Sequence, residues 1–265
     1  MKVELNSRLK RRFFCSFLLL LQGIQKKHIV MVILGKESEK EQITQALREL
    51  WELISEEQRT LLLKYTTLEK FKKNEFIYHE DDMPEYLFCL AKGKVKIFKE
   101  GIGGRSQIVR MAKPEGFFGY RAGFIGAHYS TSAAAIDSAV ICKIPLPVIL
   151  KIIKENNDVA FYFIIQLASL LGHADEQTVN LTQKHIRGRL ADALLRLKNK
   201  YGVEEDEKTL AVTLSREDLA NLSNMTTSNA IRTLSAFATE ELITTDGRRI
   251  TLLDEDKLHK ISQNG

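Results

Sequence analysis

A chain of 265 residues has the length of two domains, and 44% hydrophobic with 28% charged side chains is the composition of a soluble globular protein. The net charge of +5 is uneven: residues 1–30 hold seven Lys/Arg and one Glu, while the remainder holds 32 basic and 33 acidic side chains, so the overall charge is no evidence for nucleic-acid binding. Three scattered cysteines, Cys15, Cys89 and Cys142, exclude a disulfide framework or a cysteine metal cluster and fit a reducing, cytoplasmic setting.

The first segment mimics a secretory signal. Lys10-Arg11-Arg12 precedes an apolar run from Phe13 to Leu21, which is too short to span a bilayer and lacks a small-x-small cleavage site. Met31 directly precedes the folded-looking sequence. Residues 1–30 are therefore expected to lie outside the working protein, as an over-long reading frame. A membrane-surface amphipathic anchor is the alternative, and only that alternative makes a membrane a partner.

Residues 31–155 are expected to form a β-barrel with flanking helices. The spacing of Ile43, Leu47, Leu50 and Ile54 predicts helix within Ser38–Tyr65, with a second short helix starting at Ser55-Glu56-Glu57. From Thr67 to Pro147 the pattern changes. Phe76–Tyr78, Tyr86–Leu90, Lys94–Phe98, Gln107–Met111 and Val140–Ile144 read as strands. Turn signals between them recur about every 8–12 residues, which suggests a small barrel or jelly roll.

Residues 156–183 contain a long helix, from about Val159 to Gln183. Ala160, Phe163, Leu167, Leu170, Ala174, Gln177 and Leu181 fall at 3,4 spacing, a dimer-type stripe. Phe163, Leu167, Leu170, Ala174 and Leu181 are assigned to a homodimer interface. Phe161, Ile164, Ile165 and Leu171 lie off that stripe and are expected to pack on the barrel.

Residues 184–265 carry the most informative pattern. Ile186–Leu197 is an amphipathic helix. Ser215 then supplies a helix cap, with Glu217 and Asp218 in the first turn. Asn224 stands where a tight turn needs a residue tolerant of positive φ, and Thr226 and Thr227 can cap the next helix. On that helix Ile231 and Leu234 are expected to face inward, and Thr227, Ser228, Asn229 and Arg232 outward. This is a helix-turn-helix whose second helix is sized for the DNA major groove. Asp246-Gly247, between two short apolar runs, predicts a hairpin wing. DNA contacts are assigned to Ser215, Arg216, Thr226, Thr227, Ser228, Asn229, Arg232 and Arg248. Lys184, Arg187, Arg189 and Arg249 are further phosphate candidates.

With these residues, the order of barrel, long helix and winged helix-turn-helix resembles the CRP/FNR family of bacterial transcription regulators over about residues 45–260. Ile186–Leu197 resembles the family's first DNA-domain helix, Leu214–Ile243 its helix-turn-helix, and Lys92-Gly93-Lys94-Val95 its barrel turn. The resemblance implies an α+β chain with an N-terminal jelly-roll barrel like the cyclic-nucleotide-binding domain, a dimerisation helix and a C-terminal winged helix-turn-helix. It implies a homodimer on palindromic double-stranded DNA, with RNA polymerase as a further partner if the protein is an activator. Arg232 matches the family's base-reading Arg.

The effector turn departs from the cyclic-nucleotide pattern. Tyr120, in Phe118-Gly119-Tyr120-Arg121, stands where a ribose-binding Glu is usual, and Ser130-Thr131 stands where Arg-Ser/Thr holds the phosphate. Cyclic AMP is therefore not the expected effector. Gly119, Tyr120, Arg121, Ser130 and Thr131, with His128 and Tyr129, are assigned to a pocket for a different, unidentified small molecule. The alternative is that they only fill and rim the barrel. Three separated cysteines and isolated histidines do not suit iron–sulfur or haem sensing, so no cofactor or metal is assigned. The rival to a DNA regulator is a cyclic-nucleotide-binding-like module acting through protein contacts. An enzyme is not expected: Gly101–Gly104 lacks the context of a phosphate-cradling loop.

Overall fold

The computed structural model describes residues 37–264, so the expectations for residues 1–30 fall outside the described residues. Residues 37–46 are helical (α1), and the chain from Ala46 onward forms one compact unit. That unit opens with α2 (Arg48–Trp51) and α3 (Glu56–Tyr65). A capping box starts α3 where the sequence places it: Ser55 accepts from the Gln58 amide, and the Gln58 side chain accepts from the Ser55 amide.

The barrel strands follow as β1 (Thr67–Phe71), β2 (Phe76–Tyr78), β3 (Tyr86–Lys92), β4 (Val95–Glu100), β5 (Ser106–Ala112) and β6 (Phe117–Phe118). A short helix α4 (Tyr120–Ile125) precedes β7 (Ser132–Ala135) and β8 (Ala139–Pro145). They make two four-stranded antiparallel sheets, ordered β1-β8-β3-β6 and β2-β7-β4-β5. The facing sides bury Tyr78, Phe88, Leu90, Ile97, Phe118, Tyr129 and Ile141 between them. The five strands predicted from β-branched and aromatic runs are all present, and β1, β6 and β7 join them.

A helix not anticipated from sequence, α5 (Leu146–Glu155), packs Ile149 and Ile152 inward. Asn156 then caps α6 (Asn157–Gln183), its Oδ1 accepting from the amides of Asp158 and Val159 at 3.0 and 3.2 Å. At 27 residues α6 is about 40 Å long.

The face that α6 turns to the barrel differs from the expected one. Phe163 is 2% exposed and lies among Phe117, Tyr120, Phe124 and Tyr162, at centroid distances of 5.3–5.9 Å. It is core, not subunit interface. Ile164 and Leu171, expected on the barrel, are 58% and 64% exposed. Phe161 and Ile165 are exposed as well. The free stripe is Ile164, Leu167, Leu171 and Ala174, again spaced 3 and 4 apart. Two parallel stripes share this helix, and periodicity alone does not tell which one the barrel takes.

The C-terminal part comprises α7 (Ile186–Tyr201), α8 (Arg216–Leu222), α9 (Thr227–Thr239), the hairpin β9 (Ile243–Asp246) and β10 (Arg249–Leu252), and α10 (Glu255–Asn264). Its core of Leu190, Leu194, Leu219, Leu234, Phe237 and Ile250 is continuous with Phe98, Ile108, Met111, Ala134 and Ile136 on the outer side of the β2-β7-β4-β5 sheet. The Tyr201 hydroxyl donates to the Ala112 carbonyl across the same junction, at 3.1 Å. No described helix is long and apolar enough to cross a membrane.

Candidate DNA interface and barrel site

The helix-turn-helix is built from local signals. The Ser215 hydroxyl accepts from the Asp218 amide at 2.9 Å and donates to the Asp218 carboxylate at 2.6 Å, which starts α8. Asn224 adopts φ +50° in the turn, and the Thr226 hydroxyl accepts from the Asn229 amide to start α9. The turn has a clamp that sequence reasoning did not find. Arg189 of α7 donates to the carbonyls of Ser223, Asn224 and Lys184, each at 3.0 Å. It fixes the start of α9 relative to α7 and is not a free phosphate contact.

The buried stripe of α9 is Ala230, Thr233, Leu234 and Phe237. Ile231 was expected inside, but it is exposed, because Ala230 one residue earlier takes the inward position. Thr226, Thr227, Ser228 and Arg232 face solvent, and Asn229 is partly buried with its side-chain oxygen accepting from Arg232. In the wing, Asp246 pairs with Arg249, so the two-residue loop is Gly247-Arg248 and not Asp246-Gly247. Gly247 has φ +55° at the first central position, as in a type II′ turn. Arg216 donates to the Gly247 carbonyl at 2.8 Å and thereby ties α8 to the wing.

Several basic candidates are neutralised within the protein. Arg187 makes a two-point pair with Glu240 at 2.7–2.8 Å, Lys184 pairs with Asp192 at 3.0 Å, and Arg249 pairs with Glu204. Mutual attraction holds the Arg187 guanidinium above and the Glu240 carboxyl below their ordinary values, chiefly through that hydrogen bond. Arg232 and Arg248 carry no carboxylate partner among the described residues. Ser215 and Arg248 also border a groove of about 410 Å³ between α8, the wing and the barrel. Lys96 of β4 crosses its edge to Asp218, with Nζ–Oδ1 at 2.6 Å.

In the barrel, Gly119 has φ +79° and caps α4; a Cβ there would meet the Phe88 ring at 2.5 Å. Glycine is thus required by both conformation and space. Tyr120 is fully buried against Phe124 and Phe163. Burial pushes the Tyr120 hydroxyl up, and Arg110 and Arg121 oppose that shift. Arg121 is exposed, and Thr131 is partly buried. Ser130 is exposed, and its carbonyl accepts from Lys99 at 3.2 Å. Tyr129 stacks on Tyr78 at 3.9 Å and belongs to the core, while the exposed His128 ring is held by the Asp81 carbonyl at 2.6 Å.

Arg110 is the residue that the sequence reading missed. It lies opposite Ile97 and two residues before Ala112, both of which are barrel core, so it faces inward. A β-bulge at Ile97/Phe98 leaves Val109 outside and breaks the alternation that would have exposed this arrangement.

Residues 68–156 match the family described as the cyclic nucleotide-binding domain, and residues 188–261 the Crp-like helix-turn-helix domain. The chain is 23% identical over 190 residues to the CRP-like cAMP-activated global transcriptional regulator of Mycobacterium tuberculosis, covering 71% of this chain and 84% of that protein. It is 26% identical over 194 residues to the nitrogen fixation regulation protein FixK of Azorhizobium caulinodans, covering 72% and 77%. The structure of FixK2 from Bradyrhizobium japonicum matches with a TM-score of 0.68 at 26% identity, covering 74% of this chain and 96% of that one. The barrel and the helix-turn-helix are each matched, in the same order and on one chain, and the protein belongs to the CRP/FNR family of transcription regulators.

Proposed function

We propose that the protein acts in the cytoplasm as a homodimer that binds a palindromic operator, under the control of a small molecule in the barrel other than cyclic AMP. The carrying observation is the face of α9. One side is locked into the core by Ala230, Thr233, Leu234 and Phe237, and the other offers Thr227, Ser228 and Arg232 to solvent. Short hydroxyls with one guanidinium suit base edges, Arg pairing with guanine for about 1–3 kcal/mol of discrimination. Ser215, Arg216, Thr226, Asn229 and Arg248 flank this face and supply backbone contacts and the wing.

The exposed stripe Ile164, Leu167, Leu171 and Ala174 supports pairing of two α6 helices. Leu170 and Leu181, partly buried on neighbouring positions, widen the seam. Such a pair sets two recognition helices about 34 Å apart, one DNA turn. Tyr120 fills the position of the usual ribose-binding carboxylate, and Ser130 offers no charge to a cyclic phosphate; both disfavour cyclic AMP. If the regulator activates, RNA polymerase is a further partner. The protein acts by binding, not by catalysis.

Selection of bound fragments from random DNA, with and without cyclic AMP, tests this reading. A palindromic motif recovered without the nucleotide is expected. A motif recovered only with cyclic AMP would overturn the exclusion of that effector. A motif unchanged by Arg232→Ala would overturn the assignment of α9 as the reading helix.

A further inference from the structure

Cys89 and Cys142 are far apart in the sequence, but the fold sets them face to face. Cys89 lies in β3 and Cys142 in β8, the two inner strands of the β1-β8-β3-β6 sheet, and they are directly opposed partners in the antiparallel ladder. Residues opposed in this way point to the same side of the sheet, with Cα atoms about 4.5 or 5.5 Å apart. A disulfide takes a Cα separation of about 4.4–6.8 Å, so this register meets its requirement with little backbone movement. Phe88, Leu90 and Ile141 occupy the barrel interior, which puts both sulfurs on the outer face of the sheet. Both thiols are free and fully buried.

The pair sits in a row that reaches α6. Phe117 of β6 is the partner of Cys89 on its other side, and its ring meets Tyr162 and Phe163 of α6 at 6.1 and 5.9 Å between centroids. The Cys89 thiol donates to the Ala46 carbonyl, just before α2, at 3.1 Å. Glu49 of α2 in turn accepts from the Tyr162 hydroxyl at 2.7 Å. A sulfur joined to a second sulfur has no proton to donate, so closing the pair releases the Ala46 carbonyl. Both supports of Tyr162, Phe117 and Glu49, thus adjoin the sulfur that changes.

We propose that Cys89 and Cys142 form a reversible cross-strand disulfide, a modification site through which a peroxide acts on the protein. One thiolate attacks the peroxide O–O bond and becomes a sulfenic acid, and the departing hydroxide takes up the thiol proton as water. The second thiol attacks the sulfenic sulfur, closing the S–S bond and releasing a second water. The two sulfurs together lose two electrons, and the peroxide gains them. Burial pushes both thiols up, Cys142 to about 12, so few are ionised at neutral pH. The dithiol therefore persists in a reducing compartment and closes only under sustained oxidant, in keeping with the regulatory use of cytosolic disulfides. The site itself is independent of the reading of the protein as a dimeric regulator; its effect on DNA, by way of α6, rests on that reading.

The test exposes the reduced full chain to hydrogen peroxide, alkylates the remaining thiols and maps the peptides without reductant. The expected result is a linked pair of peptides bearing Cys89 and Cys142, lighter by two hydrogens than the separate ones and split by dithiothreitol. Cys142→Ser should abolish the link. Fluorescence anisotropy on the selected operator should show an affinity changed by about fivefold or more on oxidation, restored by dithiothreitol and unchanged in Cys142→Ser. If that variant does not fold, reversal by dithiothreitol in the wild type carries the comparison. Cys89 and Cys142 both alkylated after oxidation, a link through Cys15 instead, or sulfinic acid on unlinked cysteines would overturn the proposal. A link formed without any change in DNA affinity would uphold the site and overturn its coupling to α6. The peptide map involves no DNA, so its outcome is separable from that of the operator selection.

Discussion

Lys96 of β4 and Asp218 of α8 form an ion pair at 2.6 Å in which both side chains are largely removed from water, at 19% and 12% exposure. The pair joins the outer face of the barrel to the first helix of the helix-turn-helix. Asp218 serves twice, since it also accepts from the Ser215 hydroxyl that caps α8. Burial pushes the Asp218 carboxyl up, but the hydrogen bonds from Lys96 and Ser215 outweigh it and hold the group below the ordinary carboxylate value of 3.8.

Removing Lys96 should therefore loosen the junction in a pH-dependent way. A double-mutant cycle of Lys96→Met and Asp218→Asn should give a coupling of about 1–3 kcal/mol at pH 7 by urea denaturation. A lowered carboxylate value stabilises the fold above the unfolded value and loses that contribution as pH falls through the folded one. The difference between wild type and Lys96→Met should thus be full at neutral pH and shrink below about pH 4. A difference that stays constant down to pH 3 would show that it does not arise from the charge of the Asp218 carboxylate.

Arg189→Met should destabilise the protein by about 2–3 kcal/mol, since two carbonyls of the turn, Ser223 and Asn224, and that of Lys184 before α7 lose a charged donor. Arg189→Lys should recover little of it, because a single ammonium cannot span three acceptors as a planar guanidinium does. Chemical denaturation of both variants checks the magnitude. Full recovery by Lys would mean that only the charge matters.

Arg232→Ala and Arg248→Ala should separate base reading from backbone attraction. Arg232→Ala should lose about 1–3 kcal/mol for the preferred site and little for other DNA, with stability unchanged within about 0.5 kcal/mol. Arg248→Ala should weaken all sequences alike and lower the salt slope of binding by about 1. Fluorescence anisotropy over a salt series distinguishes the two patterns.

The two stripes of α6 should respond differently to substitution. Leu171→Glu, on the exposed stripe, should give a folded monomer by sedimentation equilibrium. Phe163→Ala should cost about 3–5 kcal/mol through the cavity it leaves in the barrel. A dimer that survives Leu171→Glu and dissociates with a stably folded Phe163→Ala would restore the stripe expected from sequence.

The parts legible in the sequence are those whose signals are local. Ser215, Asn224 and Thr226 each fix a cap or a turn through their own side chain or φ, so the helix-turn-helix could be placed without tertiary information. Strand β7, Ser132-Ala133-Ala134-Ala135, carries no such signal. It is buried on both faces, and its small residues suit a tight sheet without showing any β-propensity. Phe163 and Ile231 were misassigned for a related reason: each has an apolar or small neighbour one position away that fits the same period, and only the packing partner decides. Arg110 was hidden by the bulge on its own strand pair.

The burial of Phe163 also restricts how α6 can transmit a signal. Rolling the helix by one residue turns it by about 100°, which would pull that ring out of its aromatic socket and bury a different side chain in its place. The ring acts as a detent. In the proposed homodimer, a message from the barrel would then travel along α6 as a tilt or an axial slide, and the proposed seam would keep the same residues throughout.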